Sequence, residues 1–218
     1  MDHRALAPWF QAALLCVALL LAAAGGDGAR LSMRLTAGGI ADGQWWRLVT
    51  AHFVHLSWPH TLLNVMGVLG CCALAPAIFD RLLVLRVIAL SVAISLCLLV
   101  GSPHALPYVG LSGVLYAMLV LGLAPPARHD PIAASILASF TIWMAWQWIA
   151  GPLADEERMI GGRIVADAHV YGYVSGAAWL SMRALLMSGY LRTCAARSGR
   201  QPERGPERPT VRRNIRSW

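Results

Sequence analysis

Charge is scarce in this 218-residue chain: 13% of its residues are Asp, Glu, Lys or Arg, against 57% that are hydrophobic. That balance excludes an ordinary soluble domain and points to several membrane spans. Lysine is absent, and all 18 basic residues are Arg. Eight of them fall in residues 190–218, beside only two acids, Glu203 and Glu207, so this stretch carries +6 of the +7 net charge. A nucleic-acid binder needs a basic folded face, whereas this charge sits in a Pro/Gly/Ser/Arg segment that cannot build a core. No nucleic-acid partner is expected. The segment reads as a disordered cytoplasmic tail beside anionic lipid.

Other absences narrow the chemistry. The five cysteines (Cys16, Cys71, Cys72, Cys97 and Cys194) form no CxxC pair and no framework spacing, so four of them read as apolar packing in membrane segments. His52, His55 and His60 are close in sequence, but no HExxH or acidic ligand accompanies them. A metal site is therefore disfavoured, and no cofactor is expected. His55 is expected to fix the preceding loop by hydrogen bonds. No internal repeat is evident, and the polar residues gather towards one side. Both points disfavour a transporter with paired halves and a polar path across the bilayer.

What is present is a series of apolar runs. A bilayer-spanning helix needs about 20 apolar residues, and six segments approach that length: 9–24, 58–79, 82–100, 109–124, 131–150 and 164–187. The fold class expected is an all-α polytopic membrane protein, a six-transmembrane-helix bundle over residues 1–189, with the tail at 190–218. The fourth run is short, as for a helix that starts below the membrane surface in a protein-lined cavity. The first run has signal-peptide features in Arg4 and Ala22-Ala23-Ala24, but five further spans follow and it reads as a retained anchor. With both termini cytoplasmic, thirteen Arg lie on the cytoplasmic side and five on the other. The arginine bias therefore favours N-in and C-in. The loop 25–57 is long and without obvious structure, which is common for functional loops. Trp45, Trp46 and Trp58 suit the membrane–water interface.

Two polar residues stand out against this background. Ser112 lies in Gly110-Leu111-Ser112-Gly113 and His169 in Ala168-His169-Val170-Tyr171-Gly172. An ionisable group inside a span is costly and marks a functional site. Serine with histidine is the minimum equipment for nucleophilic acyl chemistry. Glycines 110 and 113 permit a tight backbone beside the hydroxyl, and a helix start at Ser112 would offer free N–H groups to an oxyanion. Taken alone, the GxSG stretch is equally a small-residue packing motif. Gly172 and Gly176 follow His169 at +3 and +7 on its own face, so that helix can approach the one carrying Ser112. Asp167 is two residues from His169 and faces away, which leaves a Ser–His dyad as the economical proposal. His60 and Asn64, spaced i,i+4, can both donate hydrogen bonds to an oxyanion. Tyr116 lies one turn after Ser112 and can pack under the imidazole. Trp143, Trp146 and Trp148 read as interface anchors and, secondarily, as a side gate for a substrate helix.

In its assembled pattern the chain resembles the rhomboid family of intramembrane serine proteases. The residues that carry the likeness are Trp46-Arg47, His60-x-x-x-Asn64, Gly110-x-Ser112-Gly113 and Ala168-His169-x-x-Gly172-x-x-x-Gly176. They occur in the family's order over roughly residues 9–187. The resemblance implies that Ser112 is the nucleophile, His169 the general base, and His60, Asn64 and the Ser112 amide the oxyanion hole. It implies that Tyr116 packs on the histidine and that Trp46-Arg47 is structural. Unlike many bacterial members, the chain is expected to carry no folded N-terminal cytoplasmic domain and no seventh span. Its small size, the stretch Tyr108–Gly113 and Asp167-Ala168-His169 also resemble the rhombosortase subgroup, which processes proteins bearing a C-terminal Gly-Gly, span and basic-tail sorting signal. Tyr116-Ala117 stands where that subgroup has a His-Gly pair. The function implied is an endopeptidase of the bacterial inner membrane acting on transmembrane protein substrates within the lipid bilayer. The alternative is an inactive rhomboid-like binder of membrane helices, against which the retention of both Ser112 and His169 argues.

Overall fold

A computed structural model describes residues 3–198, with side chains from 6 to 188. Ten α-helices and three short 3-10 turns account for most of the described chain. The α-helices are α1 (His3–Ala24), α2 (Gly26–Met33), α3 (Ala37–Ala41), α4 (Arg47–Thr50), α5 (Trp58–Leu74), α6 (Leu83–Gly101), α7 (Ser112–Leu123), α8 (Pro131–Ala150), α9 (Ala154–Ile160) and α10 (Ala166–Ser198). Three stretches are long and apolar enough to cross a membrane: Leu6–Ala24, Leu83–Gly101 and Pro131–Ala150. Helices α5 and α7 are apolar but shorter. The last helix runs on to Ser198, past the boundary expected at 189. The remainder of the basic tail lies outside the described residues.

The helix starts follow local sequence. Ser57 caps α5 by accepting the His60 N–H at 3.3 Å, with Pro59 in the first turn. Asp130 caps α8 by accepting the Ile132 N–H at 2.8 Å, with Pro131 as its first residue. Both arrangements satisfy a donor that the helix itself leaves free, and proline there forfeits nothing. The second apolar run, expected to 79, breaks at Ala75-Pro76 into a short 3-10 turn, because proline cannot continue the helix.

Helix α7 is the core element. Nearly every residue in it is buried, including Val114, Ala117, Met118 and Val120. A helix that is apolar on every side belongs in the middle of a bundle. Leu90, Ile94 and Leu98 of α6 are buried in the same core. In contrast α8 turns Ile142, Trp146, Trp148 and Ile149 outward. Such a large exposed apolar face matches contact with lipid.

The loop 25–57, expected without obvious structure, holds three short helices, α2 to α4. Arg47 ties it together: Nη1 donates to the carbonyls of Leu31 (3.1 Å) and Arg34 (2.7 Å), and Nε donates to Gln44 Oε1 (2.6 Å). Trp46 Nε1 reaches the Ser32 carbonyl at 3.5 Å, and Thr50 Oγ1 donates to that of Met33 at 3.2 Å. The planar guanidinium fork meets several carbonyls at once, which the compact ammonium of lysine does not. The loop then pairs with the strand-like segment before α7 through an antiparallel bridge between Leu35 and Tyr108.

Candidate active site

Ser112 is the first residue of α7, so its backbone N–H has no partner within the helix. The chain leading to it is held from three directions. Tyr108 exchanges backbone bonds with Leu35 at 3.0 and 3.1 Å, the Gly110 N–H donates to the Ala51 carbonyl at 3.0 Å, and the buried Tyr108 hydroxyl donates to the Gly110 carbonyl at 2.7 Å. Gly110 has φ +121°, and a Cβ there would stand 3.1 Å from His60 Cε1. Only glycine meets both the backbone angle and the proximity of the ring.

His169 sits in the first turn of α10, buried, and its Nε2 lies 2.9 Å from Ser112 Oγ. Small residues permit this approach. A Cβ at Gly113 would be 2.6 Å from the Ala168 carbonyl oxygen, one at Gly172 would collide with the Gly113 carbonyl, and one at Gly176 would be 2.7 Å from the Ala117 carbonyl oxygen. The helices therefore meet backbone to backbone along the stripe expected from the +3 and +7 spacing. The Tyr116 ring lies beside the imidazole, with centroids 4.8 Å apart at 32°, and packs edge-on to Phe140 on its other side. Asp167 faces elsewhere. It accepts from Trp148 Nε1 at 3.1 Å and lies 3.4 Å from His104 Nε2. The Nδ1 of His169 has no protein partner among the described residues.

His60 and Asn64 are buried on the face of α5 that looks into the same cavity. The Leu56 N–H approaches His60 Nδ1 at 3.4 Å, which assigns Nδ1 as the acceptor and leaves the proton on Nε2. That N–H, next to Gly110, is available as a donor. Asn64 Nδ2 donates one bond to the His60 carbonyl at 3.0 Å and keeps a second N–H. The cavity measures about 350 Å³, and Ser112, His169, His60, Asn64 and Tyr116 all line it. The rest of its wall is largely apolar, from Leu63, Met66, Leu115, Phe140 and Ile164. Among the described residues no three His, Cys, Asp or Glu side chains are grouped to hold a metal ion.

His55 departs from expectation. Neither of its ring nitrogens has a hydrogen-bond partner among the described residues. Of the backbone groups near it, the Ala51 carbonyl is engaged by Gly110, the Leu56 N–H by His60 and the Leu56 carbonyl by Arg30 at 2.7 Å. The ring instead stands edge-on to His60, with centroids 4.8 Å apart. The anchoring role belongs to His52, which sequence reasoning passed over. Ser95 Oγ donates to the Leu48 carbonyl at 2.8 Å and so accepts from His52 Nε2 at 3.0 Å, while the Ser91 carbonyl lies 3.1 Å from the same nitrogen. Tyr108 was likewise missed. The Tyr-x-Gly spacing before Ser112 carried the only sequence signal for its contact.

A family model for the rhomboid domain matches residues 42–185. The chain belongs to the rhomboid family. The matched region begins before Trp46-Arg47 and ends beyond Gly176, so it contains every residue described above as lining the cavity. No curated protein matches the chain. Membership makes this rhomboid a membrane protein whose apolar helices sit in a lipid bilayer.

Proposed function

We propose that this rhomboid is an intramembrane serine endopeptidase that cuts transmembrane protein substrates near the outer membrane surface. The observation that carries the reading is the 2.9 Å contact between Ser112 Oγ and His169 Nε2 inside a cavity also lined by His60 and Asn64. His169 Nε2 takes the Ser112 proton as the hydroxyl oxygen attacks the scissile carbonyl. The tetrahedral oxyanion accepts from the Ser112 N–H, His60 Nε2–H and Asn64 Nδ2–H. His169 then returns its proton to the leaving amine. Water, activated by the same imidazole, attacks the acyl-enzyme and releases the second product. A regular helix hides its carbonyls, so the substrate must unwind near the cut.

The finer reading has six spans, α1, α5, α6, α7, α8 and α10, with both termini cytoplasmic in a bacterial inner membrane and residues 190–218 as a basic tail. The rhombosortase likeness adds the processing of Gly-Gly C-terminal sorting signals. It is supported by sequence alone, through residues 108–113 and 167–169. The test is cleavage of a transmembrane reporter by the purified protein in liposomes. Ser112→Ala and His169→Ala should each lower the rate by a thousandfold or more, as loss of either dyad partner does in serine proteases. Equal cleavage by all three proteins would overturn the dyad. Reporters with and without a Gly-Gly tail then test the subgroup.

A further inference from the structure

The wall of the Ser112 cavity contains one cation. Arg163 lines it together with Ile160, Ile164 and Val165, in the segment between α9 and α10. Its side chain is exposed and has no hydrogen-bond or ion-pair partner among the described residues. This is unusual for its surroundings, because acids are plentiful there and each is taken. Asp155 pairs with Arg158, Glu156 accepts from Gln147 Nε2 at 3.0 Å, Glu157 accepts from the Ile164 N–H at 2.9 Å, and Asp167 holds Trp148 and His104. A guanidinium left without a carboxylate on the rim of a site whose other polar groups are uncharged donors and acceptors is a receptor for a carboxylate from outside.

We propose that Arg163 is a specificity-determining residue that receives an Asp or Glu side chain of the substrate, in the polar flank next to the scissile bond. This rests on the proteolytic reading of the cavity. An acidic residue cannot lie cheaply within the span itself, so its place is where the substrate leaves the bilayer. The cavity brings Arg163 and the Ser112 hydroxyl to one continuous surface. The contact forms equally in the bound and the reacting substrate, so it lowers KM and leaves kcat unchanged.

The experiment uses two full-length backgrounds in nanodiscs and a fluorescent transmembrane reporter whose flank carries Asp, Asn or Lys. In the wild-type background, Arg163→Ala should raise KM for the Asp reporter by roughly two- to fivefold at unchanged kcat, the range of an exposed ion pair. It should leave the Asn reporter unaffected. Arg163→Glu should reverse the order and favour the Lys reporter, and Arg163→Lys should retain most of the preference. Arg158→Ala, which removes another exposed arginine that already has a partner, controls for net charge. In the Ser112→Ala background the same pattern should appear in the Kd of each reporter. That readout needs no cleavage, so absence of proteolysis and absence of charge selection are separate results. Identical Kd and KM across the three reporters for wild type and Arg163→Glu would overturn the proposal. An Arg163 effect that tracks the phosphatidylglycerol content of the nanodisc rather than the reporter's charge would overturn it too, by assigning the arginine to a lipid headgroup.

Discussion

At the scale of single residues, three histidines within nine positions do three different things. His60 lines the cavity with its Nε2–H free, His52 bonds to Ser91 and Ser95, and His55 stands edge-on to His60 with no hydrogen-bond partner among the described residues. The one-dimensional pattern could not separate them, because their roles depend on which carbonyls are already occupied when the loop folds. His52 and His55 lie outside the spanning helices, and burial holds their imidazoles down to about 4 and about 3; His60 close to His55 lowers the latter further. In the unfolded chain both bind protons near 6.5. Between those values unfolding takes up protons, so stability is full above about pH 6.5 and falls as the pH drops towards 4. Thermal unfolding in detergent should therefore show a lower Tm at pH 5 than at pH 7.5. Each kcal/mol lost lowers Tm by about 2–4 °C in a domain of this size. His52→Gln should flatten that dependence while lowering Tm at pH 7.5. An unchanged slope in the variant would remove His52 from the account.

At the scale of elements, the decisive contact is α7 against α10. The +3 and +7 glycines after His169 were legible as a close-packing stripe, and the structure places them against the Gly113 and Ala117 backbone. That α7 is short was legible too, from the fourth apolar run, although the run was expected over 109–124 and the helix spans only Ser112–Leu123. Gly172→Ala should separate the two helices, because the added methyl meets a backbone carbonyl that has no rotamer through which to yield. The expected destabilisation is roughly 1–3 kcal/mol. Reporter cleavage should fall even at temperatures where the variant stays folded, since Ser112 and His169 move apart with the helices. Gly28→Ala in α2 is the control, because a Cβ there meets nothing within 4 Å and the residue does not line the cavity. Full activity in Gly172→Ala would show that the helix spacing tolerates the methyl.

At the scale of the whole molecule, the proposed topology makes a prediction about charge. With both ends on the cytoplasmic side, as proposed, thirteen Arg lie on that side and five on the other. A C-terminal fluorescent-protein fusion should mature and glow, and a C-terminal alkaline phosphatase fusion should stay inactive. A phosphatase inserted at Gly43, in the exposed turn of the first loop, should be active. The reverse pattern would invert the assignment and put the Ser112 cavity on the cytoplasmic face.

What the sequence determined by itself was the all-α membrane class of the fold and the candidate site residues. Apolar run length answers to bilayer thickness, and an intramembrane serine or histidine is conspicuous because burying it is expensive; both are local properties of the chain. The tertiary structure alone decided how those residues meet. It ordered the first loop into three helices around Arg47, gave His52 the anchor that His55 was expected to provide, and laid Tyr108 under Gly110. It also left Arg163 as the cation on the cavity wall with every neighbouring acid engaged elsewhere. A hydrogen-bond partner is a shared resource, and which group receives it is settled only when segments distant in sequence compete for it in space.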